Sequence, residues 1–422
     1  MNPGHRAGIT GQPLGRGKPG YITHLIGDDY RQGLYDYVGA GAFNPSSYDV
    51  KVSEAGAGYT MHVVRMTSQS WRSAAEVYPV YWHHWVTIVE PDVVQNNTAL
   101  LVIGGGSNTA DWASTWEYEY LLSYVALISG SPIVFLEQVP SEPLQFYDGG
   151  VPDPRDPHPI SEDDIIAYTY RAFAESYDAG LPETDWPLLL PMVKSAVRAM
   201  DMTQHFLGET RGVPVNDFVV TGASKRGWTT WLTGAYDAGL PTSLQRVRAI
   251  APMVIDVLNM DEQIDHHRKA YRSYPPNDSG YHMYGGYSTA VHPYVERGIF
   301  DNFYTPAGQT LLSIVDPYEY RDVLTMPKLI VNSTGDQFFL PDGAQFYVGD
   351  LLGETHLNYI PNTDHGLEAD METIDSILAF HVAVTDGISR PSVTWAYEDD
   401  NTCLLYTSPS PRDRTRSRMP SS

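Results

Sequence analysis

Phe218-Val-Val-Thr-Gly-Ala-Ser-Lys-Arg-Gly-Trp-Thr-Thr-Trp231 is the stretch from which the rest of the chain can be read. A β-branched run enters a tight turn, a serine sits in the turn, and a helical pattern leaves it. That order lifts one hydroxyl above the end of a strand, within reach of a base, which is the geometry of a nucleophile elbow. Ser224 is therefore the candidate nucleophile. The usual spacing Gly-x-Ser-x-Gly places a glycine two residues after the serine. Here Arg226 holds that position and the glycine follows at Gly227.

An elbow of this kind stands on a parallel sheet, and the flanking sequence is consistent with one. Buried-type apolar runs recur at Ala99-Leu-Leu-Val-Ile103, Pro132-Ile-Val-Phe-Leu136, Lys328-Leu-Ile-Val331 and Leu357-Asn-Tyr-Ile360, with another from Arg246 to Ile255. Helical patterns lie between or after them at 116–128, 161–177, 186–207 and 371–384, with a short one at 28–36. Ser161 with Asp164 reads as a capping-box variant. Two earlier runs, His62-Val-Val-Arg-Met-Thr67 and Tyr81-Trp-His-His-Trp-Val-Thr-Ile-Val89, mix polar and apolar residues and read as an antiparallel opening. The expectation is an α/β fold with a mostly parallel sheet of about eight strands and helices on both faces. Residues 149–159 and 261–306 break the alternation, and the second reads as an inserted cap over the site. Residues 1–25 read as a flexible leader, 26–400 as one domain, and 401–422 as a non-native tail, because the composition there changes abruptly to a Ser/Pro/Arg-rich run.

A serine hydroxyl needs a base, an acid to orient that base, and N–H donors for the oxyanion. In such a sheet the partners follow later strands in the order serine, acid, histidine. Asp336, in the turn after Lys328-Leu-Ile-Val331, is the candidate acid, and Asp256 is its rival. Asp342, after Pro341, reads as a helix N-cap. His365, after the last strand, is the candidate base; His83 and His84 precede the serine, and His266, His267, His282 and His292 fall in the cap. Gly105 and Gly106, after the strand ending at Ile103, and the amide of Lys225 form the candidate oxyanion hole. Lys225 and Arg226 carry two readings. Arg226 pairs with an acidic loop, or one of the two cations faces the oxyanion or grips a substrate carboxylate. An exopeptidase would need an acid for the substrate amine, for which Glu137, Glu117 and Glu119 are candidates.

Composition bounds the function. A net charge of -24 opposes nucleic acid or an anionic membrane as partner. The one cysteine, Cys403, leaves no disulfide within the chain and no multi-cysteine metal site. No His/Asp cluster has ligand spacing, so no metal or other cofactor is expected. No apolar run approaches the ~20 residues of a membrane span, and the Gly/Pro-rich N-terminus does not read as a signal peptide. The 29 tyrosines and 9 tryptophans suit a peptide, glycan or other small-molecule cleft as well as a core.

Several motifs carry a family resemblance. Thr221-Gly-Ala-Ser-Lys-Arg-Gly-Trp-Thr-Thr-Trp231, Ala251-Pro-Met-Val-Ile-Asp-Val-Leu-Asn259, Asp316-Pro-Tyr318, Gly335-Asp-Gln-Phe-Phe-Leu-Pro-Asp342, and Pro361-Asn-Thr363 with His365 resemble the PhoPQ-activated pathogenicity-related protein family, from about residue 30 to about residue 395. The resemblance implies an α/β-hydrolase fold, export in bacteria (periplasmic or extracellular), and kinship with serine peptidases of the dipeptidyl-peptidase type. The basic residue after the serine is also similar to carbohydrate esterases that cleave glucuronoyl esters, over that one motif. The expected function is a serine hydrolase that cleaves a peptide or ester bond through an acyl-enzyme. The alternatives are a uronic-acid carbohydrate esterase, or a non-catalytic binding or signalling protein that keeps the fold.

Overall fold

In a computed structural model, residues 30–272, 283, 284, 286–367, 371–397 and 403–407 are described. The segment read as a leader lies outside them. Among the described residues the principal sheet has nine strands. In chain order these are β1 Tyr48–Ala55, β2 Tyr59–Ser70, β3 Tyr81–Pro91, β4 Thr98–Ile103, β5 Ile133–Leu136, β6 Asp217–Ala223, β7 Val247–Met253, β8 Lys328–Ser333 and β9 Thr355–Ile360. Their spatial order is β1-β2-β3-β5-β4-β6-β7-β8-β9. The first three ladders are antiparallel. From β5 to β9 every ladder is parallel.

The parallel strands are buried on both faces, which is why they read as continuous apolar runs. In β6, Phe218 and Val220 join the core on one side and Val219 the core on the other. The same alternation holds at Leu100 and Leu101 of β4, and at Ile250 against Ala249 and Ala251 of β7. Along the chain the helices are α1 Gln32–Gly39, α2 Thr115–Ser129, α3 Asp163–Asp178, α4 Leu189–Thr203, α5 Lys225–Ala238, α6 Met260–Arg272, α7 His292–Glu296, α8 Ile299–Asn302, α9 Pro306–Val315 and α10 Met371–Thr385. One face of the sheet carries α4 and α5, and the other carries α2 and α10. The buried face of α5 includes Trp228, Trp231, Leu232 and Ala235; each large apolar side chain there contributes about 1.5–3 kcal/mol.

The sheet has nine strands rather than about eight because of β1, which sequence reading passes over. It is an edge strand with intermediate and exposed residues only, so no apolar run marks it. The stretch between β7 and β8 departs from the strand–helix alternation as expected. Among its described residues α6, α7, α8 and α9 follow one another, and α7, α8 and α9 pack on α3. The Ser161 capping box does not form: the N-cap of α3 is Glu162, at φ 55° and ψ -130°, with no side-chain cap. Its carboxylate is drawn instead to the cations beside Ser224, as described below. Cys403–Thr407, inside the stretch read as a non-native tail, forms an antiparallel ladder with Val393–Tyr397.

Candidate active site

Ser224 is held in a strained elbow. It sits at φ 57° and ψ -129° between β6 and α5, a region costing a non-glycine residue about 1–3 kcal/mol. Its amide is pinned by a 2.9 Å hydrogen bond to the Met253 carbonyl at the end of β7, and its own carbonyl accepts from Trp228 at 3.0 Å. Its side chain does not cap α5, so the hydroxyl is not committed to the helix it begins. The displaced glycine has a steric reason. A Cβ on Gly227 would stand 2.8 Å from the Met253 carbonyl oxygen and 2.7 Å from Ile255, so α5 and β7 approach too closely at this position for any side chain.

Asp336 and His365 meet because β8 and β9 are neighbours in register, Ser333 opposite Ile360. Each residue follows its strand by a short loop, and the loops are stitched together. The Gly335 amide donates to the Thr363 carbonyl at 3.0 Å, and the Asn362 amide to the Thr334 hydroxyl at 3.0 Å. His365 Nδ1 lies 2.8 and 3.0 Å from the two carboxylate oxygens of Asp336, and therefore donates its proton to them. Asp336 Oδ1 also accepts from the amides of Phe338 and Phe339, at 2.7 and 3.2 Å, which fixes the carboxylate plane. Phe338 packs against the imidazole, the rings tilted by 40° with centroids 4.2 Å apart. The Nε2 atom of His365 is buried and makes no hydrogen bond, to Ser224 or to any other described residue.

Lys225 and Arg226 are engaged inside the protein. The ammonium of Lys225, 6% exposed, pairs with Glu162 and stands 3.5 Å from Asp163. Arg226 donates to the Val139 carbonyl, to Glu142 at 3.3 Å and to Glu162 at 3.1 Å. Glu142 in turn accepts from the Glu162 amide at 2.6 Å. Burial, and then the neighbouring Glu162, push the Glu142 carboxyl up to about 8. Burial acts on Glu162 as well, but the Arg226 and Lys225 charges hold it below the usual carboxylate range. The two cations thus face Glu142, Glu162 and Asp163.

The glycine loop after β4 packs against the same cluster. A Cβ on Gly105 would lie 2.6 Å from the Arg226 guanidinium, and Gly106 has φ 117°. Among the described residues the amides of Gly105 and Gly106 donate to no backbone carbonyl, whereas the carbonyls of Gly104 and Gly105 accept from Val139 and Gln138. Glu137 stands after β5, two strands from the elbow, and its carboxylate accepts the amide and hydroxyl of Ser114 before α2. Glu119 accepts from the Tyr59 hydroxyl at 2.8 Å. The side chain of Glu117 lies outside what is described.

The rival residues have other partners. Asp256 is buried beside the elbow but bonded to the Tyr347 hydroxyl, and burial pushes it up to about 6. Asp342 pairs with His266 at 2.9 Å and makes no side-chain cap. His84 bridges Ser68 and the Glu137 carbonyl, His83 bonds Thr67, and His292 bonds the Thr289 carbonyl. His282 lies outside the described residues.

A pocket opens beside Ser224 and Lys225. Trp228, Ile255 and Val257 line it from the sheet side, Met260, Phe300 and Phe303 from the helices between β7 and β8, and Phe338 and Phe339 from the loop that carries Asp336. Glu142, Glu162, Asp163 and these aromatic walls escape sequence reading. The pairs that assemble the cluster are 63 and 84 residues apart in the chain, Lys225 to Glu162 and Arg226 to Glu142. The acidic run Glu162-Asp-Asp164, set against the adjacent cations Lys225 and Arg226, was the available signal.

A mostly parallel sheet with helices on both faces, and a strained serine at the end of its central strand, define the α/β-hydrolase class. Solved structures share this fold: acetyl xylan esterase 1 from Thermoanaerobacterium sp. JW/SL YS485 (15% identity, TM-score 0.50, covering 85% of this chain and 93% of that one) and an acetyl xylan esterase from Paenibacillus sp. R4 (14%, TM-score 0.52, 86% and 97%). Within the class, the chain belongs to the PhoPQ-activated pathogenicity-related protein family, whose profile matches residues 34–413. It is 36% identical over 347 residues to autocrine proliferation repressor protein A of Dictyostelium discoideum, covering 81% of this chain and 63% of that protein.

Proposed function

We propose that the protein is a serine hydrolase acting through an acyl-enzyme. Ser224 attacks a carbonyl carbon, His365 Nε2 takes the serine proton and returns it to the leaving group, and Asp336 holds His365 in the tautomer that leaves Nε2 as acceptor. The amide of Lys225, with those of Gly105 and Gly106, receives the oxyanion. The observation that carries this reading is the Asp336–His365 pair, with Nδ1 2.8 Å from the carboxylate, after β8 and β9 of the same sheet whose strand β6 ends at the strained Ser224. Ser224 and His365 share Phe338, which lines the serine's pocket and packs against the histidine. Their own hydrogen bond would form as substrate binds, since such contacts often tighten only in the complex.

An ester is favoured over a peptide with a free amine, because Glu137 and Glu119 are bonded to Ser114 and Tyr59. A uronic ester is disfavoured by the internal pairing of Lys225 and Arg226. The test is turnover of 4-nitrophenyl esters, dipeptide arylamides and methyl uronates by the wild-type protein and by Ser224→Ala. Ester turnover that disappears in the variant supports the proposal. Equal rates in both refute it.

The name of the Dictyostelium relative favours a second reading, a signalling protein that retains the fold. Under that reading Ser224→Ala leaves the biological response intact.

A further inference from the structure

The pocket beside Ser224 has about 70 Å³ of space open to the centres of water molecules. Its walls are mainly apolar. The polar groups that line it are already partnered: Asp163 accepts from Tyr294 at 2.9 Å, Asp256 from Tyr347, and Gln263 donates to the Gly343 carbonyl at 2.9 Å. His267 accepts from the Ser288 amide at 3.1 Å, and burial pushes it down to about 4, so it stays neutral. Lys225 is paired with Glu162. Besides Ser224, the Tyr170 hydroxyl is the lining group with no partner among the described residues. A polar or charged occupant would therefore be desolvated with little to bond, whereas an apolar one gains from burial.

The side of the scissile bond that enters the pocket follows from the proton's path. The leaving group must stand at His365 Nε2 to be protonated, and His365 does not line the pocket. The acyl half is left to enter it. Resting on the serine-hydrolase reading, we propose that this protein is selective for esters of an apolar acyl group, seated between α5 and the helices α6 and α8. Water attack on the acyl-enzyme then releases the corresponding carboxylic acid and returns the proton through His365 to Ser224.

The test is kcat/KM for 4-nitrophenyl esters from acetate to dodecanoate, with a series of alkyl acetates as the leaving-group control. The expected profile rises from acetate by up to about fourfold per methylene until the chain fills the pocket, and then falls. Phe303→Ala, which removes a wall side chain, moves the peak to longer chains; comparing ratios within one variant removes any effect of impaired folding. A flat profile, a maximum at acetate, or an ω-hydroxyacyl ester preferred over its alkyl isostere overturns the proposal, the last pointing to Tyr170 as a polar anchor. Fluorophosphonate labelling of Ser224 separates the two levels. Labelled protein with the wrong profile refutes the acyl selectivity alone, and protein that neither labels nor turns over any ester refutes both.

Discussion

At the scale of single residues, the proposed chemistry rests on one strained serine and one oriented histidine. Asp336 does two things at once: Oδ1 accepts two amides from its own loop, and both oxygens face His365 Nδ1. In Asp336→Asn the amide oxygen keeps the loop hydrogen bonds, but the NH₂ group turns toward Nδ1 and stabilises the wrong tautomer. Turnover is expected to fall by about 10⁴-fold, as the equivalent change does in a Ser-His-Asp triad, with the midpoint of urea unfolding nearly unchanged. A large loss of stability together with the loss of rate would make Asp336 a structural residue instead. Ser224, Asp336 and His365 were legible as candidates because each follows a strand in the order the fold demands. The buried and unbonded Nε2 of His365 was not legible, since it depends on how Phe338 packs over the ring.

At the scale of elements, the starts of α5 and α3 are tied together by charge. Lys225 and Arg226 open α5, Glu162 and Asp163 open α3, and Glu142 closes the cluster from behind. Arg226→Ala would take the donor away from the Val139 carbonyl and the buried Glu142 and leave Glu162 with Lys225 alone, at a cost of about 1–3 kcal/mol measured by urea unfolding. An Arg226 that served only to grip substrate would leave stability unchanged.

The Glu142–Glu162 pair also sets a pH dependence. Between about 4.5 and about 8 the native state holds a proton on Glu142 that the unfolded chain has released, so the pair's contribution to stability falls as pH rises through that window. Below it the sign reverses, because Glu162 resists a proton that the unfolded chain accepts. Glu142→Gln keeps the acceptor for the Glu162 amide and should remove the decline between pH 5 and 8, read from unfolding midpoints against wild type. These ties were invisible along the chain because they join loops from three separate parts of it. The parallel strands β4 to β9 were legible because burial on both faces leaves an apolar run, and β1 was not because an exposed edge leaves none.

At the scale of the molecule, Ser224, Asp336 and His365 follow the parallel strands β6, β8 and β9 of one sheet, and the last two meet. The helices between β7 and β8 supply part of the lining of the pocket at the serine. No helix among the described residues is long and apolar enough to cross a membrane. The claim on which everything else depends is that Ser224 is a nucleophile activated by its surroundings. The direct measurement is peptide-level mass spectrometry of the folded chain after exposure to a fluorophosphonate. A single adduct on Ser224, absent in Ser224→Ala and formed far more slowly in His365→Ala, is the predicted result. A folded chain that stays unlabelled, or an adduct on another serine, would contradict it.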